Sequence, residues 1–139
     1  MSNNDAVVDR QGRSALHAAA LSGDLVEVER LLASGLDPKL SDKNGFTPLH
    51  MAAQGCQLEA ARALLDAGAL VDAQNRFGNT PLFVAVFNSR GRGEMIAVLR
   101  AEGADPFVEN GSGQTPIGLA KLIANYDVLR FFSDIDSAG

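Results

Sequence analysis

The stretch DKNGFTPLHMAAQGC, Asp42 to Cys56, decides the fold, because altered copies of it recur along the chain. DRQGRSALHAAALSG begins at Asp9, NRFGNTPLFVAVFNS at Asn75 and NGSGQTPIGLAKLIA at Asn110. Gly12, Gly45 and Gly78 are 33 residues apart, and Gly113 follows after 35. The segments between these copies agree as well: LLASGLDP starts at Leu31, LLDAGALV at Leu64 and VLRAEGADP at Val98. A fixed period of this length marks a repeat architecture, in which a unit cannot bury its apolar face alone and stacked neighbours supply the core.

Each unit reads as two short helices. Thr47 and Thr80 can cap helices that begin at Pro48 and Pro81, where the missing N–H costs nothing. Leu49, Ala52 and Ala53 then form an apolar face at helical spacing, the alanines being small enough to let neighbouring helices approach. QLEAARALLDA predicts a second, antiparallel helix ended by Gly68 in a left-handed cap. Asn44-Gly45 and Phe77-Gly78 are turn signals in the linking segments.

The openings G-x-T/S-P/A-L/I and the closings LLxxGA resemble ankyrin repeats over roughly Asp9 to Ser133. The resemblance implies an all-α ankyrin-repeat solenoid of stacked helix-turn-helix units, with hairpin-like loops projecting from one edge. We expect a single domain over residues 1–139, with repeats at about 9–41, 42–74, 75–109 and 110–133. A short N-terminal arm (1–8) and a C-terminal tail (134–139) complete it.

Composition agrees with one folded domain: 139 residues, 46% hydrophobic and 21% charged, with a net charge of −5. That charge argues against a general attraction to nucleic acid or anionic membrane, and no apolar run is long enough for a membrane span. One cysteine excludes an intramolecular disulfide framework, and MSNNDAVVDR has no signal-peptide core, so the expected location is cytoplasmic.

Departures from the pattern carry further expectations. Arg30 stands where other units have Ala63 and Val98, as a solvated N-terminal face requires. Cys56 falls where the first unit has Gly23, while Gly55 comes one place early, so the turn there is altered and Cys56 is a candidate for left-handed backbone. FNSRGRGE contains a two-residue insertion that lengthens the third unit's helix-helix turn around Ser89 and Arg90. The fourth unit, with Gly118 in the histidine position, reads as a cap finished by Phe131 and Phe132, unless Phe131 is exposed for end-to-end docking.

No chemistry of a catalyst, metal site or cofactor site emerges. His17 and His50 sit at the ankyrin histidine position, to which the resemblance gives structural hydrogen bonds between loop and helix. No cysteine or carboxylate stands at ligand spacing from them, and Cys56 lacks a base and an orienting group. GSGQT at Gly111 lacks the lysine and spacing of a phosphate loop. The protein is expected not to be an enzyme.

Ankyrin families usually bind proteins through the concave side made by loop tips and first-helix faces. Carried over position by position, this selects Arg10, Arg13, Lys43, Phe46, Arg76, Phe77 and Phe87, with Arg90 and Arg92 from the insertion. Those six bases leave six against all seventeen acids elsewhere, so the concave side is expected to be basic and the rest acidic. Aromatics and arginines are the usual interface anchors, and the alternative for each ring is ordinary packing on a neighbouring turn. The expected function is a non-catalytic protein-binding module, a monomer when unbound, whose partner has an acidic surface with an apolar centre. Its Ala-, Arg- and Gly-rich, lysine-poor wording reads as bacterial, where small ankyrin proteins include antidotes to toxins, so an inhibitor or immunity role is the specific expectation. Nucleic-acid binding through the same face and self-association through the end faces are the alternatives.

Overall fold

The computed structural model describes residues 8–123 and 125–135, so most of the arm (1–7) and of the tail (136–139) expected above lies outside the described residues. Among the described residues there are seven α-helices. They are α1 (Ala15–Ser22), α2 (Leu25–Ala33), α3 (Pro48–Gly55), α4 (Leu58–Asp66), α5 (Pro81–Phe87), α6 (Glu94–Ala101) and α7 (Pro116–Leu122), followed by a 3-10 helix at Leu129–Phe132. The first helices α1, α3, α5 and α7 stack in one row, and α2, α4 and α6 in a second.

Local chemistry starts each helix of the first row. The side-chain oxygens of Ser14, Thr47, Thr80 and Thr115 accept the backbone N–H three residues on, and Pro48, Pro81 and Pro116 take the first helical position. Packing then follows the 33-residue register. Leu16, Leu49 and Leu82 have no exposed surface, nor have Leu31, Leu64 and Leu99. Ala19, Ala52, Ala85 and Ala120 recur at one buried position, and this small side chain lets successive first helices close on one another. Ala20, Ala53 and Val86 are buried at the next position, but the fourth unit has exposed Lys121 there. Exposed to solvent, this position suits a charge.

Two departures have physical causes. A Cβ at Gly55 would lie 2.4 Å from the Leu21 carbonyl, so only glycine fits where α3 meets the end of α1. The left-handed cap falls on Cys56 (φ 55, ψ 40), as expected from the sequence. This is the place that Gly23 (φ 78) holds in the first unit, so the turn keeps the geometry of the first unit rather than the altered one expected. The insertion lengthens the turn between α5 and α6 to residues 88–93, with Arg90 also left-handed.

That turn receives the C-terminal segment. Phe131 lies over Gly93, where a Cβ would come within 2.2 Å of its ring, and Arg130 donates to the Gly91 carbonyl at 3.3 Å. Arg100 makes two parallel 2.7 Å bonds to Asp134 and sits 5.2 Å from the Phe132 ring centre. Phe132 is buried and Phe131 half-buried, so both finish the core as expected.

Candidate functional site

The loop tips are rigid because an Asp or Asn side chain organises each one. Oδ1 of Asp9, Asp42, Asn75 and Asn110 each accepts two backbone N–H bonds of 2.8 to 3.1 Å from the residues two and four places on. Successive tips are joined by 2.8 Å backbone bonds from Lys43 to Gln11, Arg76 to Asn44 and Gly111 to Phe77. The tip side chains are therefore presented from a preformed ladder.

Both histidines belong to this scaffold. His17 Nδ1 accepts the Ser14 N–H and His50 Nδ1 the Thr47 N–H, so each ring carries its proton on Nε2. Nε2 then donates to the next unit's loop, at 2.9 Å to the Phe46 carbonyl and 2.8 Å to the Asn79 carbonyl. Burial lowers both pKa values from 6.5, against the raising effect of these carbonyls. The structural role implied by the resemblance is the observed one. Cys56 Sγ is 3.7 Å from the Asn88 carbonyl, to which it can donate, and among the described residues no cluster of His, Cys, Asp and Glu could hold a metal ion.

A cleft of about 340 Å3 opens between α3 and α5, lined by Phe46, Gln54, Asn79, Phe83, Val84, Phe87 and Asn88. It runs from the loop bases at Phe46 and Asn79 to the end of α5 at Phe87 and Asn88. The structure thus brings Phe46 and Phe87 to one site, while Phe77 stands outside its lining on the third tip. Phe77 is 52% and Phe87 71% exposed, too open for either ring to be core. Phe46 is half-buried, edge-on to His50 with ring centres 5.6 Å apart.

The cations differ in how they are held. Arg76 donates to Asn44 Oδ1 at 3.0 Å and lies 5.2 Å from the Phe77 ring centre, which fixes guanidinium and ring as one exposed unit. Arg13 Nε lies 3.4 Å from the fully buried Asp42 carboxylate, which ties the first tip to the second. Arg92 Nε reaches the Ser89 carbonyl at 3.5 Å. Arg10, Lys43 and Arg90 are exposed.

Phe83 was not among the residues singled out from sequence. Its signal is TPLF in the third unit where the second has TPLH: Phe83 occupies the place of His17 and His50. Another irregularity surrounds Phe46. Asn110 Nδ2 donates at 2.8 Å to Asn79 Oδ1 in the preceding unit, and Asp42 meets Arg13 in the same register. The corresponding neighbour of Asn75 is Phe46, which offers no acceptor, and Asn75 Nδ2 is buried without a hydrogen-bond partner.

These features agree with the comparisons to known proteins. A family model for ankyrin repeats, in three copies, matches residues 16–110, from α1 to the fourth unit's loop. Among curated proteins none matches. A family model covering more than half of the chain, a 33-residue register of caps and buried leucines, and histidines bonded from helix to neighbouring loop make the chain a member of the ankyrin-repeat family.

Proposed function

We propose that the protein is a non-catalytic module that docks a partner protein on the face carrying Arg76, Phe77 and Phe87. Ankyrin repeats are generally protein–protein interaction modules. The observation that carries the reading here is the pair of strongly exposed rings, Phe77 held against an arginine on the ladder of loops and Phe87 at the end of α5. Such rings offer large contact area at low entropic cost, and arginine beside them suits an acidic partner with an apolar centre.

The finer form we favour is occlusion, as by an inhibitor or immunity protein of the antitoxin kind, which needs no chemistry beyond binding. The module then acts in the cytoplasm and is a monomer until it meets its partner. No helix among the described residues is long and apolar enough to cross a membrane.

The test is a tagged pull-down from the source organism, read by mass spectrometry. It compares wild type with an Arg76→Glu, Phe77→Ala, Phe87→Ser variant whose melting curve shows it folded. A protein retained by the first and lost by the second supports the reading. Equal retention moves the interface to another face, and recovery of nucleic acid alone replaces the reading with nucleic-acid binding.

A further inference from the structure

We infer that the cleft between α3 and α5 receives one large apolar side chain of the partner, carried on an extended segment with acidic residues on both sides. This rests on the reading of that face as the docking face and specifies what it recognises.

Two departures from the repeat's own bonding converge on this one place. Phe83 replaces the histidine that in the first two units spans from helix to loop, and it forms part of the lining. Phe46 stands where an amide oxygen would satisfy Asn75, and it forms part of the same lining. A buried donor without an acceptor is unfavourable, as is the loss of a loop-fixing imidazole. Local rules broken together at one site are the mark of a site kept for another purpose.

The lining has the chemistry of a side-chain pocket. Phe46, Phe83, Val84 and Phe87 are apolar, and Gln54, Asn79 and Asn88 are uncharged amides. A charged group would lose its hydration there without a counter-ion, whereas an apolar side chain gains from burial and its flanking backbone meets amides. Both ends are cationic. Lys43 and Arg76 lie on the tips beyond Phe46 and Asn79, and Arg90 and Arg92 follow Asn88 in the turn. Helix α5 has 7 residues, a rise of about 10 Å, which an extended chain crosses in about three residues. Acidic groups about two to three residues to either side of the anchor therefore reach the cations. Charge complementarity of this kind fixes register and excludes basic partners.

The test is selection of a random dodecapeptide display library on the immobilised protein, read by sequencing, with the best sequence then made as a fluorescent peptide. The expected peptides carry a single Phe, Leu, Ile, Met, Trp or Tyr flanked on both sides by Asp or Glu. Binding should fall at least about tenfold in Phe87→Ser, in Phe83→His, and when the peptide's anchor becomes Ala. Phe87 is exposed, so its variant stays informative even if Phe83→His melts. No enrichment, enriched peptides without an apolar anchor or with basic flanks, or affinity unchanged by Phe87→Ser would overturn the inference. If Arg76→Glu weakens the peptide while Phe87→Ser does not, the docking face stands and the pocket falls. If neither substitution matters, both fall.

Discussion

His50 donates from Nε2 to the Asn79 carbonyl at 2.8 Å, which joins the second unit's first helix to the third unit's loop. His17 makes the same bond one unit earlier, to Phe46. Each ring must be neutral for this arrangement, because a proton on Nδ1 would face the N–H of Ser14 or Thr47.

That neutrality predicts how stability depends on pH. Burial holds both folded pKa values below 6.5, so around and below that pH the unfolded chain binds more protons than the folded one. Stability is therefore full above about pH 7, falls as the pH drops through 6.5, and levels off below the folded pKa values. Urea melts between pH 8 and 5.5 should show this fall. A His17→Gln, His50→Gln variant should be less stable at pH 8 but have a flatter profile, and an equally steep profile in the variant would refute the assignment.

Stability and binding should separate cleanly between two apolar residues. Leu49 is fully buried, so Leu49→Ala should cost about 2–5 kcal/mol through lost burial and the cavity left behind. Phe87 is 71% exposed, and Phe87→Ala should change stability by less than about 0.5 kcal/mol. Denaturant midpoints for the two variants check this, and a large loss in Phe87→Ala would make that ring part of the fold.

The insertion in the third unit should be tied to the C-terminal segment. Gly93→Ala places a methyl group against the Phe131 ring, which overpacking of about 1–3 kcal/mol would resist. The expected result is faster amide exchange over residues 126–135, with protection of α1 to α4 unchanged. Asp134→Asn should produce a weaker form of the same effect, because the paired bonds from Arg100 hold that carboxyl below its ordinary range.

What the sequence made legible was whatever repeats. Leu16, Leu49 and Leu82, the Ser and Thr caps and the turn glycines all follow from residues compared at one spacing. The cleft was less legible, because it depends on where α3 and α5 sit side by side, and Phe83 in the histidine position shows only when the third unit is set against the first two. The C-terminal segment was least legible. It has no counterpart in the other units, so nothing in the period revealed that Gly93 makes room for Phe131 and Gly91 for Tyr126, or that the Gly91 carbonyl accepts from Arg130.

Cys56 supplies the last prediction. Its backbone is left-handed at φ 55 and ψ 40, a conformation that brings a β-carbon too close to the neighbouring carbonyl, while Gly23 holds the same position in the first unit at φ 78. Cys56→Gly removes that crowding and gives up only a weak 3.7 Å thiol contact with the Asn88 carbonyl. The greater freedom of glycine in the unfolded chain offsets part of the gain. We expect a net stabilisation of about 0.5 kcal/mol from Cys56→Gly and no gain from Cys56→Ala, which keeps the β-carbon. Equal effects of the two substitutions would show that the thiol, rather than the backbone, sets the balance at this turn.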